Sequence, residues 1–84
     1  KIKNIDIIIL DPPRNGAGKQ VIHQMLDKRP KSIVYVSCNP ASLARDTKIL
    51  LDNNYILNNI VGLDLFPMTH HIECVALFVK QKIN

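Results

Sequence analysis

Cys38 stands where an apolar run, Val34-Tyr35-Val36, stops and a helical pattern begins. A cysteine carried at the end of a strand can act as a nucleophile, and the next residues favour that role. Asn39 can cap free helix amides, and Pro40 suits the first helical position, where its missing N–H costs nothing. Cys38 is thereby placed at the positive end of a helix, where partial charge favours a thiolate over a thiol. The alternative is a small, buried and inert cysteine.

Two carboxylates have comparable settings. Asp11 follows the apolar run 5–10 and precedes Pro12-Pro13, which cannot extend a hydrogen-bonded ladder, so it is presented at a strand end beside Arg14. Glu73 lies one residue into the last predicted strand, 72–80, and alternation sets it on the opposite face from Cys74. Cys74 then reads as a core residue. His70 and His71 have no third ligand at metal-binding spacing, and His23 falls on the outer side of a helix. Gly16-Ala17-Gly18-Lys19 imitates a phosphate loop. However, the position five residues before Gly18 is Pro13, and Gln20 stands where a hydroxyl is required. No metal and no glycine-rich cofactor loop is expected; the glycines loosen the start of the first helix.

The elements that must position these residues follow from periodicity. The run 5–10 is β-branched and nearly continuous, the pattern of a parallel strand covered on both faces. From 19 to 29, Val21, Ile22, Met25 and Leu26 share a helical stripe that Pro30 ends. A second strand covers 32–37, and a second helix covers 41–52 through Leu43, Thr47, Leu50 and Leu51, with Asn53-Asn54 as a left-handed stop. Strand, helix, strand, helix implies parallel strands joined by right-handed crossovers. Residues 55–66 read as a long irregular strand, Pro67-Met68-Thr69 as a turn, and 72–80 as an antiparallel neighbour. Asp64 alternates with Leu63 and Leu65 and reads as solvent-facing. Ligands of open α/β sheets bind beyond the carboxyl ends of the parallel strands, and Asp11, Cys38 and Glu73 all converge there.

The 84 residues allow one small core, and a start at Lys1 that runs straight into a strand suggests a part of something longer. The net charge is +4, with eleven basic residues spread along the chain, so an anionic partner is permitted without being demanded. Two cysteines in unlike contexts suggest a reducing cytoplasm rather than a disulfide framework. No apolar run is of membrane-spanning length, and a soluble chain is expected.

Asp-Pro-Pro followed by an aromatic resembles the motif by which amino-group methyltransferases hold a target base, but here Arg14 follows, which suits a carbonyl, an anion or a phosphate. Three segments in order carry a fuller resemblance: Asp11-Pro12-Pro13-Arg14-Asn15-Gly16, then Ser37-Cys38-Asn39-Pro40 with Leu43-Ala44-Arg45-Asp46, then 66–73 ending at Glu73. Together they resemble the RNA uracil-5-methyltransferase family.

The resemblance implies an α/β fold, the carboxyl-terminal half of a Rossmann-like class I methyltransferase sheet, with the donor-binding half and any RNA-binding module outside residues 1–84. It further implies methyl transfer from S-adenosylmethionine to carbon 5 of a uridine in transfer or ribosomal RNA, with Cys38 as nucleophile and Glu73 as general base. Asp11 would line the donor site, and Arg14 and Asn39 would meet the RNA. The chain alone is expected to bind S-adenosylmethionine weakly or not at all, and to self-associate through its exposed first strand. Two other readings stay open: methyl transfer to another base or position, and a non-catalytic nucleic-acid-binding fragment.

Overall fold

The computed structural model describes residues 6–66 and 71–81. They form β1 (Ile7–Leu10), α1 (Gly18–Leu26), β2 (Ser32–Ser37), α2 (Pro40–Asp52), β3 (Tyr55–Phe66) and β4 (His71–Lys80). The expected α/β order is present, with two βα units followed by an antiparallel pair. The expected turn at 67–69 lies outside the described residues.

The strands are ordered β1-β2-β4-β3, with β1 parallel to β2 and β4 antiparallel to both its neighbours. The last strand therefore inserts at the centre and pushes β3 to the edge. Because β2 and β3 both oppose β4, they run parallel, and α2 is a crossover that steps over the place β4 fills. Both crossovers move the same way across the sheet, so right-handed connections put both helices on one face.

That face holds the core. Ile33 and Tyr35 of β2, Ala76 and Phe78 of β4 and Tyr55 of β3 are buried with Ile22 and Met25 of α1 and Leu43 and Leu50 of α2. Ile8, Leu10 and Cys74 pack against the same cluster, which agrees with Cys74 as a core-facing residue. The other face is open. Ile7 and Ile9 are 51% and 70% exposed, so β1 is not covered on both sides as its hydrophobicity suggests. Periodicity reports which residues want burial; it cannot say whether the covering layer belongs to the same 84 residues.

Two helix readings also shift. α1 ends at Leu26 rather than near 29, because Lys28 and Arg29 N–H groups donate to the Met25 and Leu26 carbonyls in tight turns and Arg29 takes φ +50°. The chain then reaches buried Pro30, whose carbonyl accepts from the Tyr55 hydroxyl. On α2, Leu51 is 49% exposed, and the buried stripe consists of Ser42, Leu43, Asp46 and Leu50. Asn54, at φ +70°, supplies the left-handed stop. β3 carries a bulge between Leu57 and Asn59, which accounts for its irregular pattern.

Phe78 lies opposite Ile33 in the central pair and is fully buried. Phe78→Ala is expected to cost about 3–5 kcal/mol by lost transfer energy and cavity formation, a large share of what a domain this small can spare. Circular dichroism in urea should show the variant largely unfolded under conditions where the parent is folded.

Candidate active site

The β1-to-α1 loop is built around one side chain. Asp46 on α2 is fully buried, and burying a carboxylate is tolerable only if donors replace the lost water. Four donors do so. Its Oδ2 accepts from the Ala17 N–H at 2.8 Å and the Tyr35 hydroxyl at 2.5 Å, while its Oδ1 accepts from the Gly18 N–H at 3.3 Å and Arg45 Nη2 at 3.4 Å. The amides of Ala17 and Gly18 belong to the start of α1, which has no side-chain cap of its own, so Asp46 serves as a cap from a distant helix. The apparent phosphate loop is thus occupied by an internal carboxylate.

The same face of α2 ties down the rest of the loop. Ser42 Oγ and Asn39 Nδ2 both donate to the Arg14 carbonyl, at 2.8 and 3.1 Å, and Arg45 Nη2 donates to the Asn15 carbonyl. A turn closes through the Gly16 N–H to the Pro13 carbonyl at 2.8 Å. Gly16 has φ +87°, and a Cβ there would meet Arg45 Nη2 at 2.7 Å and Asp46 Oδ2 at 2.8 Å. Gly16 therefore tightens the loop against α2, where sequence reasoning has the glycines loosening it. The reason is an approach by α2 that nothing near Gly16 in the chain announces.

Cys38 is held from its two sides. Ser37 Oγ accepts from the Asn39 N–H at 3.1 Å and donates to the Asn39 carbonyl at 2.9 Å, bracketing the backbone of Cys38. Asn39 is the N-cap of α2: its Oδ1 accepts from the Ala41 N–H at 3.1 Å, and Pro40 follows in the first turn. The Cys38 side chain is exposed. Asn39, expected to meet RNA, also spends its amide inside the chain, on Ala41 and Arg14.

Register places the chemistry-bearing residues together. The β2–β4 ladder ends at Ser37↔Cys74, and Cys38 and Glu73 are the residues that adjoin this last pair on the two chains. The β1–β2 ladder ends at Leu10↔Tyr35, so Asp11 follows directly on the last pair at the same end of the sheet. Leu10, Ser37 and Cys74 face the helices, and alternation within β4 sets Glu73 on the open face. Asp11 and Arg14 are exposed and Glu73 is half-buried. His23 is exposed, as expected; the side chains of Asp64, His70 and His71 lie outside the described residues.

Sequence reasoning missed Asp46, Tyr35, Ser42 and Arg45 as site-building residues. A signal was present. Asp46 stands between Leu43 and Leu50 at helical spacing, and an acid on an apolar stripe implies buried donors.

The sequence profile of the family described as tRNA (uracil-5-)-methyltransferase matches residues 1–81. An uncharacterized RNA methyltransferase of Streptomyces avermitilis is 49% identical over 76 residues, which is 90% of this chain and 18% of that protein. One from Thermotoga maritima is 47% identical over 75 residues, 89% of this chain and 17% of its own length. Among solved structures, the Pyrococcus abyssi tRNA (uracil-54, C5)-methyltransferase in complex with S-adenosyl-L-homocysteine superposes with a TM-score of 0.79 and 45% identity. It covers 93% of this chain and 19% of that one. The chain thus spans less than a fifth of these relatives.

The Tyr35–Asp46 pair also sets a response to alkali. Burial first, then donation to Asp46 and the negative charge of that carboxylate, hold the Tyr35 hydroxyl above its usual value; burial raises Tyr55 as well. An unfolded tyrosine titrates near pH 10, so this contribution to stability is fully present below that pH and is lost as pH rises toward the folded-state values. Urea midpoints should begin to fall as pH rises past about 10 and keep falling through about pH 11. Tyr35→Phe should make the decline shallower, with Tyr55 keeping the rest; equal slopes in the two proteins would remove Tyr35 from the explanation.

Proposed function

The chain belongs to the tRNA (uracil-5-)-methyltransferase family, and on that premise we propose that it carries the base-processing residues of an enzyme that methylates carbon 5 of a uridine in transfer or ribosomal RNA. The observation behind this reading is the Ser37–Cys74 pair at the end of the β2–β4 ladder, whose neighbours are Cys38 and Glu73, with the Arg14 carbonyl stapled to Asn39 and Ser42.

Carbon 5 of uracil is a poor nucleophile. Addition of the Cys38 thiolate to carbon 6 breaks the 5,6 double bond and moves an electron pair into an enolate, which makes carbon 5 nucleophilic. S-adenosylmethionine supplies the methyl group from its sulfonium. Once that methyl is on carbon 5, Glu73 removes the carbon-5 proton. The electron pair restores the double bond and expels Cys38 as thiolate. Cysteine suits both ends of this sequence, as attacking and as leaving group.

The exposed Asp11 carboxylate fits the donor chemically, since it can accept from an ammonium or a ribose hydroxyl. Its position near the base also lets it accept from the uracil N3–H, which cytosine lacks. Arg14 is suited to negative charge on a base oxygen or to a backbone phosphate. Asn39 contributes by fixing Arg14 and keeps one N–H for RNA. A stacked uridine hides carbon 6, so the target base would be flipped out. No helix among the described residues is long and apolar enough to cross a membrane, and the cytoplasm is the proposed compartment.

In the full-length methyltransferase that carries this chain, RNA bearing 5-fluorouridine should form a covalent adduct, because fluorine cannot leave as a proton. Cys38→Ser should abolish the adduct and methylation. Glu73→Gln should cut turnover about 10²–10⁴-fold while adduct accumulates on ordinary RNA. Methylation that survives Cys38→Ser would favour another base or position, and RNA binding with neither adduct nor methylation would favour the non-catalytic reading.

The 84 residues alone are a different case. β1 ends the sheet on one side with Ile7 and Ile9 exposed, so sedimentation velocity should show concentration-dependent association that Ile9→Lys weakens. Calorimetry should show no micromolar binding of S-adenosylmethionine. A monomer at all concentrations, or tight donor binding, would contradict these expectations.

A further inference from the structure

Residues 14–18 form the loop that carries Arg14, and its backbone is fastened almost entirely to one face of α2. Arg14 is held through its carbonyl by Asn39 and Ser42, Asn15 through its carbonyl by Arg45, and Ala17 and Gly18 through their N–H groups by Asp46. α2 itself begins directly after Cys38. The spacing between Arg14 and Cys38 is therefore set by α2, and Asp46 is the deepest of its attachments to the loop. Arg45, half-exposed, is oriented by its contact with Asp46 while it holds Asn15.

We infer that Asp46 is a positioning residue for the reaction: through Ala17, Gly18 and Arg45 it fixes the loop that aims Arg14 beside Cys38. Tyr35 completes the device from β2, the strand that ends next to Cys38, by donating its hydroxyl to the same carboxylate oxygen that accepts from Ala17. One buried group thus ties together the strand before the cysteine, the helix after it and the loop across from it. A misplacement of about 1 Å at a reacting centre can cost on the order of a hundredfold in rate, so the attachment matters beyond stability.

The inference rests on the proposed role of Cys38 and Arg14, and the experiment separates the two. In the full-length methyltransferase, methyl transfer is measured for the parent, Asp46→Asn, Arg14→Ala and the double variant, below the melting temperature of each. The 5-fluorouridine adduct is assayed alongside. If Asp46 acts through Arg14, Asp46→Asn should lower kcat/KM for RNA by about 10–100-fold in the parent but by less than about threefold in the Arg14→Ala background. KM for S-adenosylmethionine should change little. Equal losses in both backgrounds, or parental activity in Asp46→Asn, would overturn the inference. If Asp46→Asn does not fold, Tyr35→Phe replaces it in the cycle, because it removes one donor and keeps the carboxylate. A smaller loss that again disappears with Arg14→Ala supports the inference, and an additive loss overturns it. Absence of adduct in the parent would count against Cys38 as nucleophile without altering how the cycle is read.

Discussion

A fully buried carboxylate must find its donors inside the protein or cost several kcal/mol. Asp46 finds them on three separate stretches of chain: the start of α1, the middle of β2 and its neighbour Arg45. That requirement makes the loop after β1, the strand before Cys38 and the helix after it parts of a single rigid piece. The other placements follow. Gly16 must lack a side chain because α2 approaches so closely, α1 can begin without a cap of its own, and Tyr35 keeps its proton because it is buried and its hydroxyl donates to the Asp46 carboxylate.

The sheet provides the second axis of the site. With β4 inserted between β2 and β3, the start of the last strand arrives beside the end of the second, and Ser37 pairs with Cys74, which brings the neighbours Cys38 and Glu73 to one end of the sheet from distant parts of the chain. Had β4 stayed on the outside, β3 would separate the two residues. The central place of β4 also explains why its helix-facing residues, Ala76 and Phe78, are fully buried, while their partners on edge strand β3, Ile60 and Leu57, remain 50% and 41% exposed. Membership of the tRNA (uracil-5-)-methyltransferase family and the fold therefore meet at one edge of one sheet.

Much of this was legible in the residues. Asn39-Pro40 announces a helix start, Pro12-Pro13 a strand end, and the alternation about Cys74 assigns Glu73 its face, because each depends on chemistry within a few residues. Strand order was not legible, since placing β4 at the centre depends on which strand buries more, a property of the assembled sheet. Nor was the second face of β1: Ile7 and Ile9 call for a cover that these residues do not supply. Asp46 is the instructive miss. Thr47 and Leu51 fit an apolar stripe better on hydrophobicity alone, yet the helix turns Asp46 inward because two backbone amides and a phenol wait for it there.

In the proposed function one uracil is handled between Cys38 and Glu73 at the edge where β2 ends and β4 begins. The most direct measurement is a crystal structure of the full-length enzyme trapped on 5-fluorouridine RNA. The expected result is a bond from Cys38 Sγ to carbon 6 of the flipped base, with the Glu73 carboxylate against carbon 5 and Arg14 at a base oxygen or its phosphate. A nucleotide joined to any other residue, or a Glu73 side chain turned away from the base, would contradict it.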